Sequence, residues 1–519
     1  MPKIRVARCG LLAIGLTGVA GCHSRGPDMG ALARPFPGVR LVVGVVDEPR
    51  VLATVTPQLG EWTATRGGEV EVRGAPIDPE SARGADLLLF RGDRLGDLID
   101  ARALAALPEA VGRPPAAVEA ESEEAAAGDE PRPDRAAADP LRFADVVPAY
   151  RDQVARYGSE RFALPLGGSA LVLVYRRVAF ERTANREAAG AEDLAWEPPA
   201  TWDRFDALAR FFQGRDWNGD GSPDFGVALA LGPDAEGLGE ATFLARAASL
   251  GQHRDQYSFL FDADTMAPRI DSPPFVEALT ALTALTASGP PDLARFDAEA
   301  ARRAFRRGDV ALLIDRAERA SLWGEGGGGA IDVVPLPGSC RVFDPLRGRW
   351  EDASPPNRPS YLPFGGGWLV GVASATEGRR REAAIDFATY LVGPEVAAHV
   401  RAGRAFVMLP VRSSLLGQGL PDPRVAPGVD ARRWSEAVSR TLLAARVVPG
   451  PRIPGADGYL ADLGRGRVAA VAGEPADRAL REVARRWSER TRSLGTERQL
   501  WHYRRSLNTL VTTPEPPGR

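Results

Sequence analysis

Only one of the 65 basic residues in this 519-residue chain is a lysine, Lys3; the others are arginines. Any mechanism built on a lysine nucleophile is thereby excluded from the body of the protein. Cysteine is almost as scarce. Cys9 and Cys22 lie near the N-terminus, which leaves Cys340 alone in the globular part and rules out a disulfide there. The histidines, His23, His253, His399 and His502, have no zinc-site spacing, so no tetrahedral N/S site and no cofactor is expected. The net charge of −3 creates no field that would draw the chain to nucleic acid. A GxSxG elbow, an HExxH helix and a Cys/His dyad are all missing, which argues against an enzyme. A carboxylate pair for glycoside hydrolysis stays open, because any two of the 68 acidic residues could meet.

What is present is the composition of a soluble globular protein, 44% hydrophobic and 26% charged. The length exceeds one hydrophobic core and implies roughly two or three domains. Lys3, Arg5 and Arg8 precede an apolar run, Leu11 to Ala20, too short to span a bilayer stably. The run ends Val19-Ala20-Gly21-Cys22, which resembles a bacterial lipoprotein signal. That resemblance implies acylation of Cys22 and a membrane anchor outside the cytoplasm. Residues 23–37, broken by Gly26, Pro27, Pro35 and Pro37, would form the tether.

The chain turns on Phe162 to Tyr175, FALPLGGSALVLVY. Pro165, Gly167 and Gly168 bend it, and Leu171 to Tyr175 reads as a strand buried on both faces. This stretch is the first crossover between two α/β lobes with a cleft between them. In the first lobe, Val39–Val46, Glu69–Arg73 and Ala85–Phe90 read as strands separated by helical patterns, the signature of a parallel sheet. Asp47, Glu48, Arg91 and Asp93 fall at the strand ends, where such sheets bind ligands. Residues 114–140 lack large apolar side chains and read as a disordered insertion. Leu141 to Tyr157 then reads as helical.

The second lobe opens with a polar, irregular stretch, Arg176 to Glu197. Thr201 should cap a helix over Trp202–Phe212. Asp216, Asn218, Asp220 and Asp224 occupy calcium-loop positions 1, 3, 5 and 9, but Val227 replaces the glutamate of position 12, and a tight Asx/Gly turn explains them better. A strand Phe225–Ala230, a helix Glu240–Leu250, a hairpin Phe261–Ile270 and helices from Ser272 and Asp297 follow. Gly308–Asp315 is a buried strand that ends on Asp315. Beyond Gly326–Gly329, Ile331–Pro337 reads as the return to the first lobe.

In this order, the motifs ALPLGGSALVLVY, PATWDRFDALARF, DSPPFVEAL, AFRRGDVALLIDRAE, VVPLP, GGGWLVGVASATEGRRREAAIDFATYLVGPE, MLPVRSSLL and VVPGPRIPG resemble the extracellular solute-binding proteins of ABC importers. The resemblance is in particular to the sugar-binding branch that includes maltose-binding protein. The resemblance implies a type II periplasmic-binding-protein-like fold: two lobes, each a mainly parallel sheet flanked by helices, closing on a ligand about a hinge. It implies a signal peptide over 1–22, a first lobe over 38–163 and 334–405, a second lobe over 164–333 with a helical completion over 406–505, and a tail over 506–519. Crossovers match Leu164–Gly168 and Ile331–Pro337. Where many sugar binders place an aromatic after the strand ending at Asp315, this chain has Glu318, with Trp323 the nearest aromatic. That departure weighs against a maltodextrin-like ligand.

A sugar site needs aromatic platforms for C–H faces and polar groups for hydroxyls. The platforms expected are Trp62, Tyr175, Trp323, Tyr361 and Trp368. The polar partners are Asp47, Arg91, Asp93, Asp315, Glu318 and Arg412. The function implied is a monomeric, lipid-anchored receptor that captures a small solute and passes it to an ABC permease. Its rivals are a transport-deficient sensor of the same fold and, less favoured, a cell-surface hydrolase. If Cys22 carries the anchor, Cys22→Ala should move the protein from the membrane fraction to the soluble fraction of cells. A variant that still sediments with membranes would refute the anchor.

Overall fold

The computed structural model describes residues 34–76, 82, 84–111, 141–324, 330–402, 407–416 and 425–509. The signal with Cys22, most of the tether, the 114–140 insertion, Gly326–Gly329 and the end of the tail lie outside the described residues.

Two sheets organise the chain. The first runs Glu69–Pro76, Arg40–Val45, Leu87–Arg91, Gly367–Val372, Leu164–Gly168. The second runs Ile331–Pro335, Leu171–Arg176, Val310–Arg316, Phe225–Ala228. Only Ser169 and Ala170 separate the last strand of the first sheet from an inner strand of the second. Continuous apolar runs take the inner positions. Leu171–Arg176, Val310–Arg316 and Gly367–Val372 are buried at every residue, as strands covered on both faces must be.

Both sheets are mixed rather than mainly parallel. Arg40–Val45 lies parallel to both of its neighbours, and Val310–Arg316 parallel to Phe225–Ala228. The strands at the crossings pair antiparallel. The cause is the crossing itself. Leu171–Arg176 and Gly367–Val372 start at the junction between the sheets, so they run opposite to strands that finish there. Ile331–Pro335 is also a strand of the second sheet, antiparallel to Leu171–Arg176, and not yet the return. The chain re-enters the first sheet only at Gly367. In between it forms the pair Ser339–Asp344 with Arg349–Asn357, then Ser360–Leu362, which lies parallel to Val447–Pro449.

Three further stretches differ from expectation. Arg177–Glu181 and Thr183–Ala191 are short helices. Their junction is held by Asn185, which donates 2.9 Å hydrogen bonds to Ala179 O and Trp217 O, a contact with no apolar period to announce it. Phe261–Ile270 closes with a single bridge, Phe261 to Pro268. There Asp262 gathers the Asp264 and Thr265 N–H groups and builds a turn instead of a hairpin. Leu141 to Tyr157 forms a 3-10 turn over Phe143–Asp145 and a wide π turn over Ala149–Val154.

The helix Trp202–Phe212 forms as its pattern requires. Thr201 accepts from Arg204 N, and Phe205, Leu208, Ala209 and Phe212 are buried. The C-terminal helices Ala456–Val471, Ala476–Leu494 and Thr496–Ser506 assemble on Phe261. Its ring lies 5.0 Å from Trp487 and 5.3 Å from both Tyr459 and Tyr503.

Gly226 brings the edge strand of the second sheet against helix Trp202–Phe212. A Cβ there would stand 1.9 Å from Ala209 O and 2.9 Å from Ser288 O, both backbone atoms that cannot rotate away. Gly226→Ala should therefore cost at least about 1–3 kcal/mol. The expected readout is a lower urea midpoint with an unchanged m-value; an unchanged midpoint would mean that the two elements do not pack this closely.

Candidate functional site

Strand ends of the first sheet and a loop of the second converge on one cavity of about 780 Å³. From the first sheet come Asp47, just beyond Arg40–Val45, and Arg91, Asp93 and Arg94 at the end of Leu87–Arg91. The opposite wall is the Pro233–Gly237 loop, which follows Phe225–Ala228. Asp234 fixes that loop by accepting from Glu236 N, Leu238 N and Gly239 N at 3.0, 2.7 and 3.3 Å. It thereby caps helix Leu238–Gly251 and aims Glu236 at the cavity. One face of helix Ala456–Val471 adds Asp457, Leu460, Ala461, Gly464 and Val468, at the three- and four-residue spacing of a single helix face. Tyr361, Pro363 and Phe364, from the second crossing, complete it.

That crossing passes very close to the first sheet. A Cβ on Gly92 would lie 2.5 Å from Gly365 O, and one on Gly365 would lie 2.4 Å from Asp93 N. Glycine on both sides permits the approach, and Gly365 also takes φ of 62°. Two guanidinium groups lie over the ring of Phe364, Arg91 at 5.1 Å and Arg316 at 4.9 Å from its centroid.

The cavity charges pair with one another. Arg94 contacts Asp47 and Asp457, and Arg91 lies 3.1 Å from Asp93 and 3.5 Å from Asp457. On the facing wall Arg302 donates to Glu236 at 2.9 and 3.0 Å and to Asp315 at 2.8 and 2.9 Å, while Arg316 also contacts Glu236. Burial alone would raise the Glu236 carboxyl, but Arg302, Arg316 and Arg319 hold it down at about 2. Asp93 and Asp97 show the reverse balance. Burial pushes both up, Asp97 to about 6, against the pull of Arg91 and Arg94.

Of the residues expected from sequence, Asp47, Arg91, Asp93 and Tyr361 line the cavity. Asp315 stands one layer behind, bracing Arg302. Glu318 is buried at the first crossing, accepts from Ser169 Oγ at 2.5 Å, and is pushed up by burial. The others lie elsewhere, for identifiable reasons. Trp323 is fully buried and donates its N–H to Asp315. Tyr175 donates to Asp332 and packs edge-on against Phe180. Trp368 is buried in the first sheet, in register with Arg91 and Gly167. Arg412 caps the backbone carbonyls of Leu141, Arg142 and Val392. Trp62 sits in the core, donating to Asp386. In the Asp216–Asp224 turn the carboxylates accept from the loop itself: Asp216 from Gly219 N and Gly221 N, Asp224 from Asn218.

Sequence reading missed Glu236, Phe364 and Asp457. Asp234 followed by Gly237 and Gly239 marks a capped helix start, and Asp457 occupies the first turn after the PGPRIPG break; these were the available signals.

Two α/β halves sharing one cavity, with chain crossings beneath it, define a two-lobed binding-protein fold. The model of the family "Bacterial extracellular solute-binding protein" matches residues 81–417, and the chain belongs to that family. Among solved structures, the chain is similar to an ABC transporter solute-binding protein of Agrobacterium radiobacter K84 in complex with ribitol. The two are 18% identical, with 88% of this chain and 99% of that chain covered and a TM-score of 0.57. Maltose-bound MalE3 of T. maritima is 17% identical over 87% and 99%, with a TM-score of 0.55. A solute-binding protein of Agrobacterium vitis S4 with bound D-mannitol is 18% identical over 88% and 99%, with a TM-score of 0.54. A comparison with curated proteins gives no match. Among the described residues, no helix is long and apolar enough to cross a membrane.

The arginines around Glu236 make its contribution depend on pH. Its folded value of about 2 lies below the ordinary 4.5, so the stability it supplies is complete above about pH 4.5 and is lost as pH falls toward 2. Glu236→Gln should lower stability at neutral pH by about 1–3 kcal/mol, less than at a fully buried pair because 32% of the side chain is exposed. The gap to wild type should close between pH 4.5 and 2. A gap that persists there would assign the loss to packing instead of charge.

Proposed function

We propose that the protein captures a small, neutral, polyhydroxylated solute, a sugar or alditol, and delivers it to an ABC importer at the membrane to which Cys22 anchors it. The observation that carries this reading is the charge pairing inside the cavity. Asp47, Asp93, Asp457 and Glu236 each meet an arginine. These four carboxylates are matched by guanidinium groups and Asp234 is held by backbone N–H groups, so the walls offer paired acceptors and donors suited to a neutral ligand. Hydroxyl groups fit such a wall, because each can donate and accept. Phe364, Tyr361 and the Leu460 and Val468 side of the helix supply the apolar contact that sugar C–H faces require. The cavity volume suits a ligand of one or two sugar rings. The ribitol, D-mannitol and maltose in similar structures are ligands of this kind. A ligand touching both the first-sheet strand ends and the Pro233–Gly237 loop supplies the differential affinity that favours a closed arrangement.

A thermal-shift screen of monosaccharides, disaccharides and alditols tests the ligand class. At a hundred times Kd, a true ligand stabilises the protein by about 2.7 kcal/mol. For the hit, calorimetry on Phe364→Ala and Asp457→Asn should each show affinity reduced roughly tenfold, about 1.4 kcal/mol. Stabilisation by anions or amino acids but by no sugar or alditol would refute the ligand class. Wild-type affinity in both variants would move the site out of this cavity.

A further inference from the structure

Outside the cleft, the fold gathers three side chains that no sequence spacing connects. His253 follows the end of helix Leu238–Gly251, while Asp344 and Glu351 lie on the facing strands Ser339–Asp344 and Arg349–Asn357. One ligand atom from each, an imidazole nitrogen and two carboxylate oxygens, all fall within 4.8 Å of one another. His253 and Asp344 are buried, and the Glu351 side chain is 21% exposed. None of the three lines the solute cavity.

We infer that His253, Asp344 and Glu351 form a binding site for a divalent transition-metal ion, with solvent completing the coordination at the Glu351 side. One imidazole with two carboxylates is a donor set for Zn²⁺ or Mn²⁺; Ca²⁺ takes oxygen ligands and would leave the imidazole unused. His253 Nε2 already faces Glu351, 3.4 Å from Oε2. Its Nδ1 lies 3.7 Å from the Asp255 carboxylate, the kind of partner that orients a ligating histidine. Asp255 N–H also approaches Nδ1, at 3.3 Å. Metal at Nε2 requires the proton on Nδ1, so a small turn of Asp255 from its N–H to its carboxylate would accompany binding.

A cationic group already stands at the two carboxylates. Arg347 Nη1 is 2.7 Å from Asp344 and 3.5 Å from Glu351, and its side chain is 57% exposed, free to swing into solvent. Arg349 also reaches Glu351, at 3.1 Å, so the two carboxylates already sit among cationic groups that a metal ion would replace. The strand pair packs on the helix end through Asn357, which donates to Ser249 O at 2.8 Å. An ion at the cluster would staple this pair to the second lobe.

Calorimetry and thermal shift on the full chain, first stripped with chelator, test the site with Zn²⁺, Mn²⁺ and Ca²⁺. The expected result is one Zn²⁺ per chain with a raised Tm, and no response to Ca²⁺. Glu351→Gln should weaken Zn²⁺ at least about tenfold while keeping the wild-type circular dichroism. Arg347→Ala removes the competing cation and should tighten binding, whereas His399→Ala, at an exposed histidine away from the cluster, should leave it unchanged. Equal Zn²⁺ affinity in wild type and Glu351→Gln would overturn the site. So would the absence of any response in both wild type and Arg347→Ala, which would make the cluster an ion-pair network only.

Discussion

Asp457 meets Arg91 and Arg94 at the cavity, and this meeting joins the C-terminal helices to the strand ends of the first sheet. The carboxylate lies in the first turn of helix Ala456–Val471, where the helix dipole already favours negative charge. Asp97 adds a second tie by accepting from Gly455 N at 2.8 Å. The same helix holds the second lobe through Arg467, fully buried, which donates to Glu240, Leu231 O and Gly232 O. One helix thus fixes the cavity floor against both walls. The small residues Ala461 and Gly464 leave the space that makes it a cavity.

Arginine carries nearly all the positive charge, and that shapes the site. A guanidinium can serve two carboxylates in plane, as Arg302 does between Glu236 and Asp315. It can also lie on an aromatic face, as Arg91 and Arg316 do on Phe364. Such contacts keep Glu236 ionised in a partly buried cleft, because Arg302, Arg316 and Arg319 together outweigh burial there. Lysine, a point charge on a flexible stem, could not hold the same geometry.

The fold is shared at 17–18% identity with proteins whose bound ligands are ribitol, D-mannitol and maltose. At that distance the likeness is one of fold. Phe364, beside the crossing, and Tyr361 are aromatics of the lining, and Glu318, which follows the strand ending at Asp315–Arg316, turns inward to Ser169 instead of facing the cleft.

Local order was legible in the sequence. Continuous apolar runs specify inner strands such as Leu171–Arg176 and Val310–Arg316 because burial on both faces leaves no polar alternation to read. The Thr201 cap and the polar residues at strand ends, Asp47, Arg91 and Asp93, follow from the same local chemistry. Partners remote in sequence were not legible. Arg91 and Asp457 stand 366 positions apart, and His253 and Glu351 stand 98 apart, so no spacing rule links them. Aromatic residues were the least certain: sequence marks Trp62, Trp323 and Trp368 as large and apolar but does not say whether a ring closes a core or faces a cleft. That choice depends on which surfaces the two sheets bury when they pack, and the energy of that burial belongs to the assembled fold and not to any one segment.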